Sequence, residues 1–543
     1  MKNRKLMSVL AVAFLAAFSA AFSAGCSSGG GAGSSSGGSG GPGSGGSGSG
    51  GSGSGGSGSG GSGSGGSSGT GGATSAGTGG HASGGSSATG GASSGGATGS
   101  GGSGSGGATG SGGTTTTGSG GATSLGGATG SGGKTASGGK GGAATTGGAS
   151  GGGSSGTAGN SGTQKWVGTW TASPYYDSAN APPTALSNTV IRQIAHVSLG
   201  GSQLRVQFSN LQGNGSITIS SSHVALCKAT GGVVDSTIDT TTDKALAFSG
   251  MASVTIGQGK EVWSDAIDFA LPVMGNLTIT TAFGTVPSQV TSHSGSRTTS
   301  YIQSGTNVTA ASMTGTGVTN VDHWYAISGI DVMADASAKG VVAIGDSITD
   351  GRGTDTNHNN RWTDILVSRL LMNAATMNVS MMNQGIGGTN LAGGAPAAQA
   401  RFARDVLGQS GAKYVIVFDG VNDIHGGASV DSMKTVYNSF ITMAHAKGMV
   451  IFGATITPFG GDNTGSDPYY TPAAETTRQQ VNTFIKSGVF DGVIDFDAAV
   501  TDGGNPPKLQ NDLMTWSQMD GLHPGPAGYL KMGNSVDLTL FTK

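Results

Sequence analysis

A serine, an aspartate and a histidine stand where they can act together. Ser347 follows the apolar run Val341-Val342-Ala343-Ile344 and the pair Gly345-Asp346. Such a run reads as a buried strand, which puts the serine in the first turn after it. A hydroxyl there sits at the carboxyl edge of a sheet, where open α/β sheets bind ligands. The next helix begins at the same point, and its unpaired N–H groups favour negative charge. Far downstream, Asp520-Gly521-Leu522-His523-Pro524 places a carboxylate and an imidazole three residues apart. Serine, histidine and aspartate are the parts of a nucleophilic acyl-transfer site.

The elements that must hold these residues can be read from hydrophobic period. From Ala338 onward, apolar runs recur at Val341–Ile344, Val379–Met382, Tyr414–Phe418, Val450–Ala454 and Gly492–Phe496. Helix-like stretches alternate with them at Trp362–Met372, Pro396–Leu407, Ser432–Ala446 and Ala473–Lys486. This alternation predicts a parallel five-stranded sheet covered on both faces, a three-layer flavodoxin-like α/β domain over 338–543. Ahead of it, over 165–335, the period is two. Leu204, Val206 and Phe208 alternate with Arg205 and Gln207, and Leu277, Ile279 and Thr281 with Thr278 and Thr280. Short alternating runs between Gly, Asn and Ser clusters predict a β-sandwich or jelly roll.

The segment after residue 338 resembles the SGNH/GDSL hydrolases, whose site is spread over four short blocks in fixed order. The first is Gly345-Asp346-Ser347, with Ser347 matching the family nucleophile. The second lies in Asn383-Gln384-Gly385-Ile386-Gly387-Gly388-Thr389, where Gly388 matches a backbone oxyanion donor. The third is Gly420-Val421-Asn422-Asp423, where Asn422 matches a side-chain donor, and the last carries Asp520 and His523. The resemblance implies a serine esterase with Ser347, Asp520 and His523 as catalytic residues and Ser347, Gly388 and Asn422 as its oxyanion hole. It further implies short acyl chains on carbohydrate as substrate, an aryl esterase or lipase of broader specificity being the other reading. Thr389 stands where close relatives often carry asparagine.

The same residues suit the chemistry on physical grounds. An attacked ester carbonyl becomes an oxyanion and needs fixed donors about 3 Å away. A serine hydroxyl is a poor nucleophile until a base takes its proton. Other readings stand beside these. Ser347 can simply cap a helix, Gly388 can serve a tight turn, and Asp520 can be structural, with His523 held by a backbone carbonyl. His425 is a rival base. Asp346 and Asp423 read as hydrogen-bond scaffolding, and Arg361-Trp362 as packing at a helix start. The remaining histidines (His196, His223, His293, His323, His358 and His445) lack metal-ligand spacing. No metal and no cofactor is expected, and no phosphate-cradling motif appears.

Composition bounds the rest. The chain has 543 residues with 109 glycines and a formal net charge of -2. Without a basic stripe, nucleic acid is not an expected partner. Residues 1–26 read as an export signal: Lys2, Arg4 and Lys5, an apolar run from Leu6 to Phe22, then Ser23-Ala24-Gly25-Cys26. That ending resembles a bacterial lipoprotein signal, which implies lipid on Cys26 and membrane anchoring at the cell surface or outer membrane. Ser23 departs from the usual leucine, and plain secretion is the other reading. Residues 27–163 are nearly pure Gly, Ser, Thr and Ala. They cannot bury enough apolar surface to offset ordering, so a disordered linker spanning roughly 65 Å is expected. Cys227 is read as a small buried apolar residue. Trp166, Trp170, Trp263 and Trp324 are either core residues or sugar-stacking groups, the latter fitting a carbohydrate-binding surface protein with secondary catalysis. The expected partner is a small-molecule or polysaccharide ester; the oligomeric state is not legible in the sequence.

Overall fold

Alternate residues along one strand face opposite cores. Val341 and Ala343 join one apolar cluster, and Val342 and Ile344 the other. A strand buried on both faces belongs in the middle of a parallel sheet. In the computed structural model this strand, β1 (Lys339–Gly345), is an inner strand with a neighbour on each side, followed in the chain by β2 (Val379–Gly385), β3 (Ala412–Phe418), β4 (Val450–Ala454) and β5 (Gly492–Ile494). The order across the sheet is β2-β1-β3-β4-β5, all parallel. The structure describes residues 163–228, 233–393, 396–514 and 519–543. The expected export signal, Cys26 and the Gly/Ser/Thr-rich stretch through residue 162 lie outside the described residues.

Helices cover both faces. On one side, Val430–Ala446 buries Met433, Val436, Tyr437, Phe440 and Ala444, and Pro472–Phe484 buries Ala474 and Val481. On the other, Trp362–Met372 packs beside Pro526–Ser535, with Trp362, Leu366, Leu370, Tyr529 and Met532 buried. Some expected boundaries move. The fifth strand stops at Ile494, and Phe496 opens a helix through Val500. Asp495 causes the stop, its side chain accepting the Ala498 N–H as a helix cap. The helix expected from Pro396 begins at Ala398 and passes into a π turn over Ala403–Leu407.

Beside a two-stranded sheet of Ser292–His293 and Trp324–Tyr325, residues 164–335 form two large antiparallel sheets around a shared apolar cluster. One contains Gln164–Thr171, Ile327–Asp335 and Gly201–Ser209; the other has Thr189–His196 and Asn276–Phe283 near its centre. The tryptophans pack rather than project. Trp170 and Trp324 are buried edge to face at 4.9 Å. Trp166 and Trp263 hold the Arg205 guanidinium between them, 4.7 and 4.4 Å from the ring centroids, and Asp331 pairs with it at 2.7 Å. Cys227 is a correction: it is only half-buried, and its thiol donates to the Asp235 carbonyl.

The β-rich region is bonded to the α/β region along a seam. The Gly168 N–H donates to the Ser410 carbonyl, and the Ser380 hydroxyl to the Gly168 carbonyl. Buried Arg361 donates to the carbonyls of Gly295 and Ser296 across this seam and to that of Asp350. Its expected packing role at a helix start is therefore joined by a structural one between regions.

Candidate active site

At the end of β1 the chain turns so tightly that a side chain on Gly345 would meet the Thr349 hydroxyl at 2.3 Å, and on the neighbouring strand the Phe418 carbonyl at 2.1 Å. Asp346 follows as a cap, its Oδ1 accepting the Ile348 N–H at 2.9 Å. Burial, with Asp423 and Asp350 nearby, pushes the Asp346 carboxyl well up from the ordinary range. Ser347 then starts a one-turn helix, a position whose N–H has no intrahelical acceptor. Capping is thus done by Asp346, which leaves the Ser347 hydroxyl for other use.

That hydroxyl lies 2.7 Å from His523 Nε2. His523 Nδ1 lies 2.7 Å from Asp520 Oδ2. A carboxylate only accepts, so Nδ1 carries the proton and Nε2 accepts from Ser347. Asp520 Oδ1 accepts the N–H groups of Leu522 and His523, which sets the loop. Gly521 makes this turn possible. Its φ is +73°, and a Cβ there would lie 1.9 Å from the Gly461 carbonyl. Arg352 Nε approaches Asp520 at 3.8 Å.

The electrostatics favour a charged Asp520 and a neutral His523. Burial pushes Asp520 up, but the hydrogen bonds and charge of His523 and the loop N–H groups prevail and hold it at about 2. Burial lowers His523 below its ordinary value, and the neighbouring Arg352 and Arg297 lower it further; Asp520 opposes this without reversing it. A neutral imidazole beside a hydroxyl is the state a general base needs.

Gly388 and Asn422 line the same cleft as Ser347 and His523. Gly388 has φ +75° and open space where a side chain would stand. The Asn422 amide is pinned at both ends: Nδ2 donates to the Thr389 carbonyl at 2.7 Å, and Oδ1 accepts from Tyr469 at 2.8 Å. One Nδ2 hydrogen is left over. Thr389 supports its own loop, its hydroxyl donating to the Ile386 carbonyl. Asp423 accepts the Leu391 N–H and so scaffolds the facing loop. His425 stacks on Tyr469 at 4.1 Å, and its Nε2 is 3.4 Å from Asp467. The imidazole on Ser347 is that of His523, and His425 packs on Tyr469 rather than filling the base position.

Several cleft residues have no signal in the sequence. The volume is about 770 Å³, and one wall comes from the β-rich region, including Tyr175, Asp177, Arg297 and His323. His293 braces this wall, with Nε2 2.9 Å from Asp350 Oδ1 and Nδ1 2.9 Å from the Ser173 carbonyl. Tyr469 comes from an irregular loop. A loop aromatic carries no period, and a wall from another region carries no spacing relative to Ser347.

Residues 343–531 match the model of the GDSL-like Lipase/Acylhydrolase family. No curated protein matches the chain at a significant level. Similar solved structures include a member of the lipolytic protein G-D-S-L family from Veillonella parvula DSM 2008, at 18% identity and TM-score 0.26, covering 36% of this chain and 96% of that one. An aryl esterase from M. smegmatis is similar at 14% identity and TM-score 0.29, covering 36% and 95%. An acetyl xylan esterase variant from Geobacillus stearothermophilus is similar at 22% identity and TM-score 0.29, covering 37% and 93%. Strand order, the four ordered blocks and the family match agree that residues 343–531 are a GDSL-like lipase/acylhydrolase domain, a carboxylic ester hydrolase by family.

Proposed function

We propose that this chain is an exported serine esterase that removes short acyl groups, foremost O-acetyl groups, from carbohydrate. The observation that carries the chemistry is the pair of 2.7 Å contacts linking Ser347, His523 and Asp520 on the floor of the cleft. Ser347 Oγ attacks the ester carbonyl carbon while His523 Nε2 takes its proton. The oxyanion is met by the N–H groups of Ser347 and Gly388 and the spare Asn422 amide hydrogen. Collapse expels the alcohol, which takes the proton back from His523. Water, deprotonated by the same imidazole, then attacks the acyl-serine and releases the acid. Asp520 stabilises the imidazolium at both steps.

The polar character of the walls supports a carbohydrate alcohol. Tyr175, Tyr176, Asp177, Arg297 and Thr464 offer hydroxyls, charge and flat rings rather than an aliphatic channel. Such groups recognise hydroxylated ligands and give little to a long acyl chain. Export and lipid attachment at Cys26, with residues 27–163 as tether, belong to the same proposal. The test is turnover of acetyl and long-acyl esters of one alcohol. Acetyl esters should be preferred, and Ser347→Ala should lose about 10³-fold or more in kcat while staying folded. Near-wild-type turnover in that variant defeats the mechanism; a long-chain preference defeats the substrate assignment.

A further inference from the structure

Arg297 sits in the loop between Ser292–His293 and Ser300–Ser304 of the β-rich region, yet it lines the cleft that holds Ser347 and His523. Its backbone is left-handed, φ +50°, an uncommon state for a residue with a side chain. The surroundings enforce it. Asn357 donates its N–H to the Arg297 carbonyl, its Oδ1 accepts the Thr299 N–H, and Arg361 grips the Gly295 and Ser296 carbonyls. Strain of this kind persists where a structure over-determines it, often at ligand sites.

The guanidinium held there is unspent. Its Nε is buried and, among the described residues, has no hydrogen-bond partner. The carboxylates that line the cleft with it are already engaged. Asp350 takes His293 and the Gly387 N–H, Asp520 takes His523, and Asp177 takes Asn180 and the Ala179 N–H. A half-buried guanidinium without an acceptor is costly until one arrives. Its planar fork matches a carboxylate better than a lone hydroxyl. Arg297 and the His523 imidazole line the same cleft. In the proposed mechanism that imidazole faces the leaving alcohol, whereas the acyl oxygen faces Gly388 and Asn422.

We propose that Arg297 is a specificity-determining residue that binds a carboxylate carried by the alcohol portion of the ester, so that the preferred substrates are acylated acidic sugars. This rests on the esterase reading above. The test compares O-acetylated glucuronate with O-acetylated glucose, which share a ring and differ in the carboxylate. The wild-type enzyme should favour the glucuronate ester in kcat/KM. Arg297→Gln should lower the ratio between the two esters by about tenfold to a hundredfold, through KM of the glucuronate ester. Arg297→Lys should keep part of the preference, because it keeps the charge and loses the fork. A ratio unchanged by Arg297→Gln, or no wild-type preference, overturns the proposal and leaves the esterase reading standing. Turnover of neither ester by the wild type overturns both.

Discussion

Asn422 offers the sharpest test of the oxyanion geometry. Its amide has two hydrogens and one fixed orientation. Thr389 takes one hydrogen at 2.7 Å, and Tyr469 holds the oxygen at 2.8 Å. A flipped amide would turn its oxygen toward the Thr389 carbonyl and its NH₂ toward the Tyr469 hydroxyl. Asn422→Ala removes the donor, and loss of one oxyanion donor costs about 10²–10³ in kcat. Tyr469→Phe removes only one of the two anchors. A net hydrogen bond of about 1 kcal/mol corresponds to roughly a fivefold loss. Because Tyr469 acts through Asn422, the double variant should be no slower than Asn422→Ala alone. Steady-state kcat and KM on an aryl acetate would decide this. An Asn422→Ala loss below tenfold, a loss confined to KM, or losses that multiply in the double variant would refute the reasoning.

The pH profile should have a low acid limb. Burial lowers His523 from 6.5, so the neutral base survives below that pH, and protonation ends activity only further down. A kcat/KM limb with its midpoint at or above 6.5 contradicts this. Gly521→Ala combines a +73° φ with a Cβ 1.9 Å from the Gly461 carbonyl. It should cost roughly 1–3 kcal/mol in stability and at least about 100-fold in kcat by displacing Asp520 from His523; unchanged kcat refutes it. Trp362→Ala deletes a fully buried ring packed on Phe496 and should cost about 3–5 kcal/mol in denaturant unfolding. A loss under about 1 kcal/mol would mean that the core on this side of the sheet collapses around the gap.

The sheet was legible because burial on both faces writes each strand as an apolar run. Val341–Ile344 and Tyr414–Phe418 carry no polar residue to blur them, and both lie within strands of the structure. The helix Pro526–Ser535 was not legible. Its glycines weaken the helical pattern, yet Gly533 is there for packing: a Cβ on it would lie 2.5 Å from the Ile365 side chain on the neighbouring helix. A residue chosen for what it lets come close looks, in one dimension, like a break. The expectation of a strand through Phe496 failed for a related reason, since a capping aspartate inside an apolar run ends it silently.

The candidate site divides the same way. Ser347 and His523 were nominated by residue type and by their places after a strand and in a short loop, and Gly388 and Asn422 by the resemblance of their blocks to the SGNH/GDSL hydrolases. Arg297 and Tyr469 meet the site only through the fold. Arg297 reaches it because Asn357 and Arg361 of the α/β region hold its loop. Asp350, one helical turn after Ser347, is paired with His293 of the β-rich region. Cutting the chain at residue 338 would therefore do more than remove one wall of the cleft. It would strip the His293 imidazole from the Asp350 carboxylate and the Gly295 and Ser296 carbonyls from the Arg361 guanidinium, next to the turn that presents Ser347. Breaking a buried pair by removing one partner is strongly destabilising. The β-rich region is thus part of what keeps the serine in place.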